Sequence, residues 1–322
     1  MKKISLVSFS VIAILAGSLR SYAQGYAEPD ATYLYAVKDS CQLYLDIYYP
    51  ADGSEMTLRD GSNKPALLYV FGGGFKGGRR DSRGVKPWFK LLADEGYTII
   101  AIDYRLGLKD VKKMGLAQAN LLYKAIRMAV EDTYSATNFI LDNADDLDIN
   151  PDAIIVCGSS AGAITALQAE WEICNGTALA SVLPEGFNYA GVMSFAGAIY
   201  SKHGKVRYKR EPAPALMLHG TADKIVTYKQ IRLFNQAFQG TGKLSKQYKT
   251  KDYNYNIYRF DGNGHEIAGA MLNTVPEQLR WIETNVIKKE KRNIDAHIYD
   301  STIVKFGIGN VKDLYGGSVN LE

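Results

Sequence analysis

The sequence predicts a doubly wound α/β fold with a mostly parallel sheet, and three observations support this class. Short apolar runs rich in β-branched residues alternate with longer amphipathic segments, as expected of strands joined by crossover helices. The chain has 322 residues, of which 47% are hydrophobic, so it is long enough to bury a large core. No internal repeat interrupts this order.

The N-terminus has the features of a secretory signal peptide. Two lysines precede an apolar run over residues 4–16, and a small-residue cleavage site ends at Ala23. We therefore expect removal of residues 1–23 and export to the periplasm or beyond, without lipid attachment, because Gln24 follows rather than a cysteine. Neither this run nor a later one reaches the length of about 20 apolar residues that a membrane span needs.

Charge and cysteine content exclude further classes. Residues 1–23 contain three basic and no acidic residues, so their removal lowers the net charge from +4 to +1 and leaves no case for nucleic-acid binding. Cys157 and Cys174 flank a predicted helix, which places them outside disulfide reach of each other. A bridge from Cys41 is left open.

The secondary-structure elements follow from apolar periodicity and turn residues. Residues 24–39 are expected to form an arm that leads into an alternating edge strand over residues 41–49. Further strands are predicted at residues 65–71, 98–103, 154–157, 190–196, 214–219 and 256–260, and helices at residues 87–95, 118–141, 163–174, 229–239 and 274–289. One domain over residues 24–290 results, and the sequence does not decide whether the tail over residues 291–322 packs on it.

A glycine-flanked serine follows the most strongly predicted buried strand. Gly158-x-Ser160-x-Gly162 lies between this strand and a predicted helix. Glycines two positions on either side fit a strand-to-helix turn that is too tight for side chains and lifts the hydroxyl to the helix N-terminus. The alternative is a glycine-rich turn whose serine only caps the helix. The strand–turn–helix context favours a nucleophile.

A serine nucleophile needs a base that takes its proton. His265 lies in a turn just after the last predicted strand, at the rim where the loops of such sheets carry function. His219 is the rival base and otherwise has a structural role in its loop. Asp223 reaches the same rim and is expected to orient the imidazole. Two alternatives remain: Asp223 caps the following helix, or Asp261 or Glu266 orients His265.

Backbone N–H groups that bind an oxyanion are expected at the glycines of residues 72–74 and at Ala161. Residues without a Cβ let the backbone approach a substrate, and Ala161 directly follows the serine. The same glycines, with Gly77, match a dinucleotide-binding fingerprint. Dinucleotide binding is disfavoured because residues 79–87 separate these glycines from the next predicted helix, whereas the fingerprint must lie at the start of a helix.

Four motifs in this order resemble those of a known superfamily. They are Phe71-Gly-Gly-Gly-Phe75, Gly158-Ser-Ser-Ala-Gly162, His219-Gly-Thr-Ala-Asp223 and Gly264-His265. Together they resemble the α/β-hydrolases, in particular the secreted bacterial esterase/lipase group related to carboxylesterases and hormone-sensitive-lipase-like enzymes. The resemblance covers roughly residues 40–288. It departs from the group at Phe71, where histidine is usual, and at Ala163, where glycine is usual.

The resemblance implies a serine esterase that forms an acyl-enzyme and needs no metal or organic cofactor. The implied roles are Ser160 as nucleophile, Asp223 as acid, His265 as base, and Gly73, Gly74 and Ala161 as oxyanion donors. The chain order of serine, aspartate and histidine is also that of an α/β-hydrolase. One alternative is a prolyl-oligopeptidase-type peptidase, but such peptidases normally carry a propeller domain, for which this sequence is too short. The other is a non-catalytic binding protein with the same fold.

The expected substrate is a small-molecule or glycan-linked ester, and the oligomeric state is not predicted. The segment over residues 197–213 is too short for a large cap domain, which favours an open site. The aromatic residues expected to line it, with a core position as the alternative for each, are Phe75, Trp88, Phe195 and Tyr200. The basic loop over residues 202–210 is either solvated or attracts an anionic or glycan-linked substrate. A second basic stretch over residues 243–251 is expected at the opposite edge.

Overall fold

A nine-stranded sheet lies at the centre of the protein. The computed structural model describes residues 28–112 and 118–303, apart from the side chain of Leu233. The strands are β1 (Ala31–Lys38), β2 (Cys41–Tyr48), β3 (Ala66–Val70), β4 (Ile99–Ile102), β5 (Ile154–Ser159), β6 (Gly191–Phe195), β7 (Ala198–Ser201), β8 (Ala215–Gly220), β9 (Gln230–Leu233), β10 (Gln236–Gly240), β11 (Tyr255–Phe260) and β12 (Ile294–Ile298). The large sheet has the order β1-β2-β4-β3-β5-β6-β8-β11-β12.

The predicted fold class is confirmed by the pairing within this sheet. β1 and β2 pair antiparallel at one edge, and β2 also pairs antiparallel with β4. From β4 to β12 every neighbouring pair is parallel. The carboxyl ends of these strands therefore meet at one rim, where the loops that follow β3, β5, β8 and β11 come together.

Helices cover both faces of the sheet. They are α1 (Lys86–Asp94), α2 (Ala119–Asp142), α3 (Ala161–Asn175), α4 (Thr241–Lys251) and α5 (Val275–Trp281), which continues as a π-helical turn over Ile282–Ile287. α1 meets α5 where the Trp88 indole donates to Gln278 Oε1 at 2.8 Å. α2 packs on α3, where the Tyr134 hydroxyl donates to the Ala169 carbonyl at 2.7 Å. All residues of β3 are buried, as a strand covered on both faces requires.

Two predictions at the edges of the fold are wrong. Residues 24–39 are not only an arm, because residues 31–38 form β1, which pairs with β2 and displaces it from the edge. The helix predicted at residues 229–239 is instead the β9–β10 hairpin, which joins β7 in a separate three-stranded sheet. Ile231 and Phe234 have a helix-like spacing, but Phe234 adopts φ 50° in the turn and pairing with β7 fixes the strands.

The described part of the tail packs on the domain. β12 pairs parallel with β11 and forms the far edge of the sheet. Residues 291–303 therefore pack on the domain, a question that the sequence left open. The predicted signal peptide lies outside the described residues, as does the tail from residue 304 onward. Cys41, Cys157 and Cys174 are all free, so the bridge from Cys41 is not formed. Within the described ranges, no helix combines the length and apolar character needed to cross a membrane.

Candidate active site

Ser160 occupies a strained turn between β5 and α3. Its backbone has φ 51° and ψ −113°, a conformation that costs energy in a non-glycine residue and is concentrated at functional sites. The flanking glycines are required by packing. A Cβ on Gly162 would lie 1.9 Å from the Val70 carbonyl oxygen, and one on Gly158 would lie 2.4 Å from the carbonyl carbon of Gly162. Close packing against the start of α3 and against β3 thus requires a glycine on each side of Ser160.

His265 meets the serine from the loop after β11. Its Nε2 lies 2.8 Å from the Ser160 hydroxyl, and it begins a 3₁₀ turn over His265–Gly269. This turn is tied to the serine strand, because the Ser159 hydroxyl donates to the Ala268 carbonyl at 2.7 Å. This link was not predicted, although Ser159 directly precedes Ser160.

Asp223 completes the arrangement from the loop after β8. Its Oδ2 lies 2.7 Å from Nδ1 of His265, while its Oδ1 accepts the backbone N–H groups of Ile225 and Val226 at 2.8 and 3.0 Å. Since a carboxylate only accepts, Nδ1 carries the proton and Nε2 is left to accept from Ser160. Burial alone would raise the pKa of Asp223, but hydrogen bonds from its two histidine neighbours hold that pKa well below its usual range.

The second histidine neighbour is His219, which is fully buried under the aspartate. Its Nε2 faces Asp223 Oδ2 at 3.2 Å and the Val226 carbonyl at 3.0 Å, so this nitrogen carries the proton. Its Nδ1 then accepts from the Thr241 hydroxyl at 3.0 Å. Both ring nitrogens are therefore occupied. His219 holds its loop, as expected, and also supports the aspartate, a contact that the sequence analysis did not anticipate.

The two alternative partners of His265 are engaged elsewhere. Asp261 binds His297, with Oδ2 and Nδ1 2.7 Å apart. Glu266 Oε1 accepts the backbone N–H of Gly264 at 2.8 Å and the side-chain amide of Asn263. Asp223 is consequently the carboxylate that orients the imidazole.

The glycine-rich loop after β3 lies beside the serine turn. Gly72 packs so closely that a Cβ on it would be 3.3 Å from the Cβ of Ser160. Gly73 has φ 118°, and its carbonyl accepts the N–H groups of residues 76 and 77. Ala161 begins α3, where N–H groups have no partner within the helix. The loop opens no helix, since α1 begins only at Lys86, which agrees with rejection of the dinucleotide fingerprint.

Phe71, one of the two positions that depart from the resemblance, holds this loop by stacking. Its ring lies on Tyr104 with centroids 4.3 Å apart, and the Tyr104 hydroxyl donates to the Phe71 carbonyl at 3.1 Å. At the far end of the loop, the Arg80 guanidinium binds Asp103 at 2.6 Å and Asp46 at 2.8 Å. These contacts attach both ends of the loop to the sheet.

The predicted aromatic lining is wrong, because all four side chains belong to the core. Phe75, Trp88 and Phe195 have no exposed surface, and Tyr200 is 4% exposed. Trp88 and Phe195 pack edge to face, and the Tyr200 hydroxyl donates to Gln236 Oε1 at 2.6 Å. Each of the four residues therefore occupies the core position that the sequence analysis gave as its alternative.

Comparison with known proteins agrees with this architecture. The BD-FAE family model matches residues 45–173, which include the glycine loop and Ser160 but end before Asp223 and His265. Carboxylesterase 1C of Mus musculus is 30% identical over 131 residues, which are 40% of this chain and 21% of that protein. Non-reducing polyketide synthase ausA of Penicillium brasilianum is 31% identical over 158 residues, 48% of this chain and 6% of the synthase. The chain thus spans about a fifth or less of these relatives.

Solved structures of similar fold cover more of the chain. The apo form of esterase 2 from Thermogutta terrifontis has a TM-score of 0.57 at 19% identity, with 81% of this chain and 97% of that chain covered. The same esterase phosphoramylated by tabun has a TM-score of 0.56 at 21% identity, with 78% and 94% covered. The sheet order and the solved structures of similar shape give the chain an α/β-hydrolase fold. Over less than half of its length, the chain is also similar in sequence to the BD-FAE family and to carboxylesterases, which supports an esterase/lipase-type α/β-hydrolase.

Proposed function

We propose that this protein is a serine esterase that hydrolyses carboxylic esters through an acyl-enzyme intermediate. The observation that carries the proposal is the continuous pair of hydrogen bonds from Ser160 through His265 to Asp223, at 2.8 and 2.7 Å. It has the geometry in which a histidine takes the serine proton and an aspartate fixes the imidazole tautomer. The esterase relatives support the same class of reaction.

In the proposed first half-reaction, the Ser160 hydroxyl oxygen attacks the ester carbonyl carbon while His265 Nε2 takes the hydroxyl proton. The imidazolium is stabilised by Asp223, which remains charged because its pKa is held low. The N–H groups of Gly73, Gly74 and Ala161 are the proposed donors to the tetrahedral oxyanion. His265 then gives its proton to the alcohol oxygen as the carbon–oxygen bond breaks.

In the second half-reaction, water replaces the alcohol. His265 takes a proton from the water, whose oxygen attacks the acyl carbon, and returns that proton to the Ser160 oxygen as the carboxylic acid leaves. We propose that the acyl groups are short and are carried by small molecules or glycans. The absence of a large cap between β6 and β8 supports this preference, since residues 196–214 add only β7 and a loop to the described fold.

Turnover of short p-nitrophenyl esters tests the proposal. The wild type should hydrolyse them, and Ser160→Ala and His265→Gln should each reduce kcat by orders of magnitude with unchanged circular dichroism. An inactive, folded wild type would favour a non-catalytic binding protein instead. A panel of acetylated and feruloylated glycans, compared with acyl chains of increasing length, then defines the substrate.

We also propose that the protein is exported. The lysines and apolar run of residues 1–23 support this, with cleavage after Ala23. N-terminal sequencing of the mature protein should begin at Gln24, and a product that retains residue 1 would contradict export by this route.

A further inference from the structure

Two basic stretches that the sequence analysis placed at opposite edges line one cavity. This cavity, the basic groove, has a volume of about 590 Å³ and lies between the loop after β7, the β9–β10 hairpin and α4. Its cationic residues are Lys205, Arg207, Arg232, Lys243, Lys246 and Lys251. Residues 243–251 form most of α4, whose C-terminal end precedes β11 and lies at the opposite edge as expected, and residues 204–208 meet this helix in the groove.

The six cations have no counter-charge within the groove. All six residues are exposed, no aspartate or glutamate lines the cavity, and none of the six forms an ion pair with another described residue. The whole chain is nearly balanced, with 38 basic and 34 acidic residues, so this accumulation is local. Like charges in one concave surface repel each other, and a bound anion relieves that repulsion.

Helix stability does not account for the position of the lysines. Cations near a helix C-terminus interact favourably with the helix dipole, which suits Lys251 in the last turn of α4. Lys243 instead lies in the first turn, where the dipole disfavours a positive charge. Its placement in the groove is therefore better explained by a ligand than by the helix.

Two half-buried amides in the groove indicate the rest of the ligand. The side chains of Gln230 and Gln247 have no hydrogen-bond partner among the described residues. An amide presents both donors and acceptors, which suits hydroxyl groups. Two tyrosines line the groove, Tyr208 and Tyr253, and both pack edge to face on Tyr248 and on each other. Tyr253 is only 8% exposed, and this packing limits the ring surface available for the stacking of bases.

From this combination we propose that the basic groove binds an acidic polysaccharide, through cation–carboxylate contacts and amide–hydroxyl hydrogen bonds. The N-terminal end of α4 lies near the candidate active site, because Thr241 hydrogen-bonds His219 under Asp223. From there α4 runs for about 16 Å at 1.5 Å per residue. The groove thus retains a uronate-bearing substrate on the protein and raises its local concentration for hydrolysis. That catalytic consequence rests on the proposed esterase function, whereas binding to the groove does not.

Calorimetric titration of the Ser160→Ala protein with an oligogalacturonate tests the proposal without turnover. Binding should exceed that of a neutral galacto-oligosaccharide of equal length. It should also weaken as the Debye length falls from about 10 Å at 0.1 M salt to about 3 Å at 1 M. The variant Lys243→Gln/Lys246→Gln should bind about tenfold more weakly, a change of about 1.4 kcal/mol.

The matched control is Lys90→Gln/Lys288→Gln, which removes the same charge from surface ion pairs outside the groove and should bind like the parent. Thermal unfolding of both double variants verifies that they fold. The proposal would be overturned if both double variants lost the same affinity for the oligogalacturonate. It would also be overturned if the Ser160→Ala protein did not bind it. An oligodeoxythymidylate of equal charge that binds as tightly would overturn the assignment to sugar acids. Because these titrations measure binding without hydrolysis, they test the groove even if the esterase proposal fails.

Discussion

Replacing Asp223 by asparagine changes only an oxygen into an amide nitrogen, yet it should nearly abolish turnover. The carboxylate accepts two backbone N–H groups on Oδ1 and the two imidazoles on Oδ2. In Asp223→Asn the backbone N–H groups select the amide oxygen for the first position. The NH₂ group must then face His265 Nδ1, where it donates rather than accepts.

This reversal puts the imidazole proton on Nε2 of His265, which can no longer accept the proton of Ser160. In a serine protease triad the same kind of exchange reduces kcat by about 10⁴-fold, which corresponds to about 5.5 kcal/mol of barrier at about 1.4 kcal/mol per factor of ten. We expect a loss of this order in kcat for p-nitrophenyl esters, with KM changed far less.

Asp261→Asn is the matched control for this variant. It makes the same chemical change at the carboxylate that binds His297 instead of His265, and it should keep kcat within a few-fold of wild type. If Asp261→Asn loses as much activity as Asp223→Asn, or if Asp223→Asn stays active, the assignment of the orienting carboxylate is refuted.

Three further predictions follow from buried contacts around the site and beneath it. His219→Leu should lower the free energy of unfolding by about 1–3 kcal/mol in urea titrations, because it removes the imidazole that the buried Thr241 hydroxyl and the Val226 carbonyl contact. An unchanged free energy of unfolding would contradict this support. Gly73→Ala should cut kcat by about 10²–10³-fold, the cost of one lost oxyanion donor, because its Cβ would lie 2.1 Å from the Gly77 carbonyl oxygen; an unchanged kcat would refute this. Burial raises the pKa of Glu170, so the stability that its folded-state protonation provides is present below about pH 4.3 and is lost as pH rises through the folded pKa. Glu170→Gln should therefore gain stability relative to wild type as pH rises from about 4 to 8 in urea titrations, and a difference that stays constant with pH would disprove this.

The central turn was predictable because its glycine spacing is visible in five consecutive residues. Ser160 needs a glycine two positions away on each side, and both glycines are dictated by backbone packing within the β5–α3 unit and against β3. The approach of His265 and Asp223 followed from a general rule, since parallel strands deliver their following loops to one rim. Neither inference required knowledge of side-chain contacts between distant segments.

Other features depended on such distant contacts and were missed. The β9–β10 hairpin exists because β10 pairs with β7, whose position only the folded chain reveals. The convergence of the two basic stretches has the same origin. The support of Asp223 by His219 depends on an angle between two side chains four residues apart, which the spacing alone does not specify. The four aromatic residues were predicted to be exposed because they lie close in sequence to the strand ends at the rim, but they are buried.

The most direct test of the account is covalent labelling with a fluorophosphonate, read by peptide mass spectrometry. A serine that passes its proton to a neighbouring imidazole reacts with such a probe, whereas a helix-capping serine does not. The account predicts one adduct, on the peptide that contains Ser160, and its loss in both Ser160→Ala and His265→Gln. Labelling at another residue, or undiminished labelling of Ser160 in His265→Gln, would contradict it.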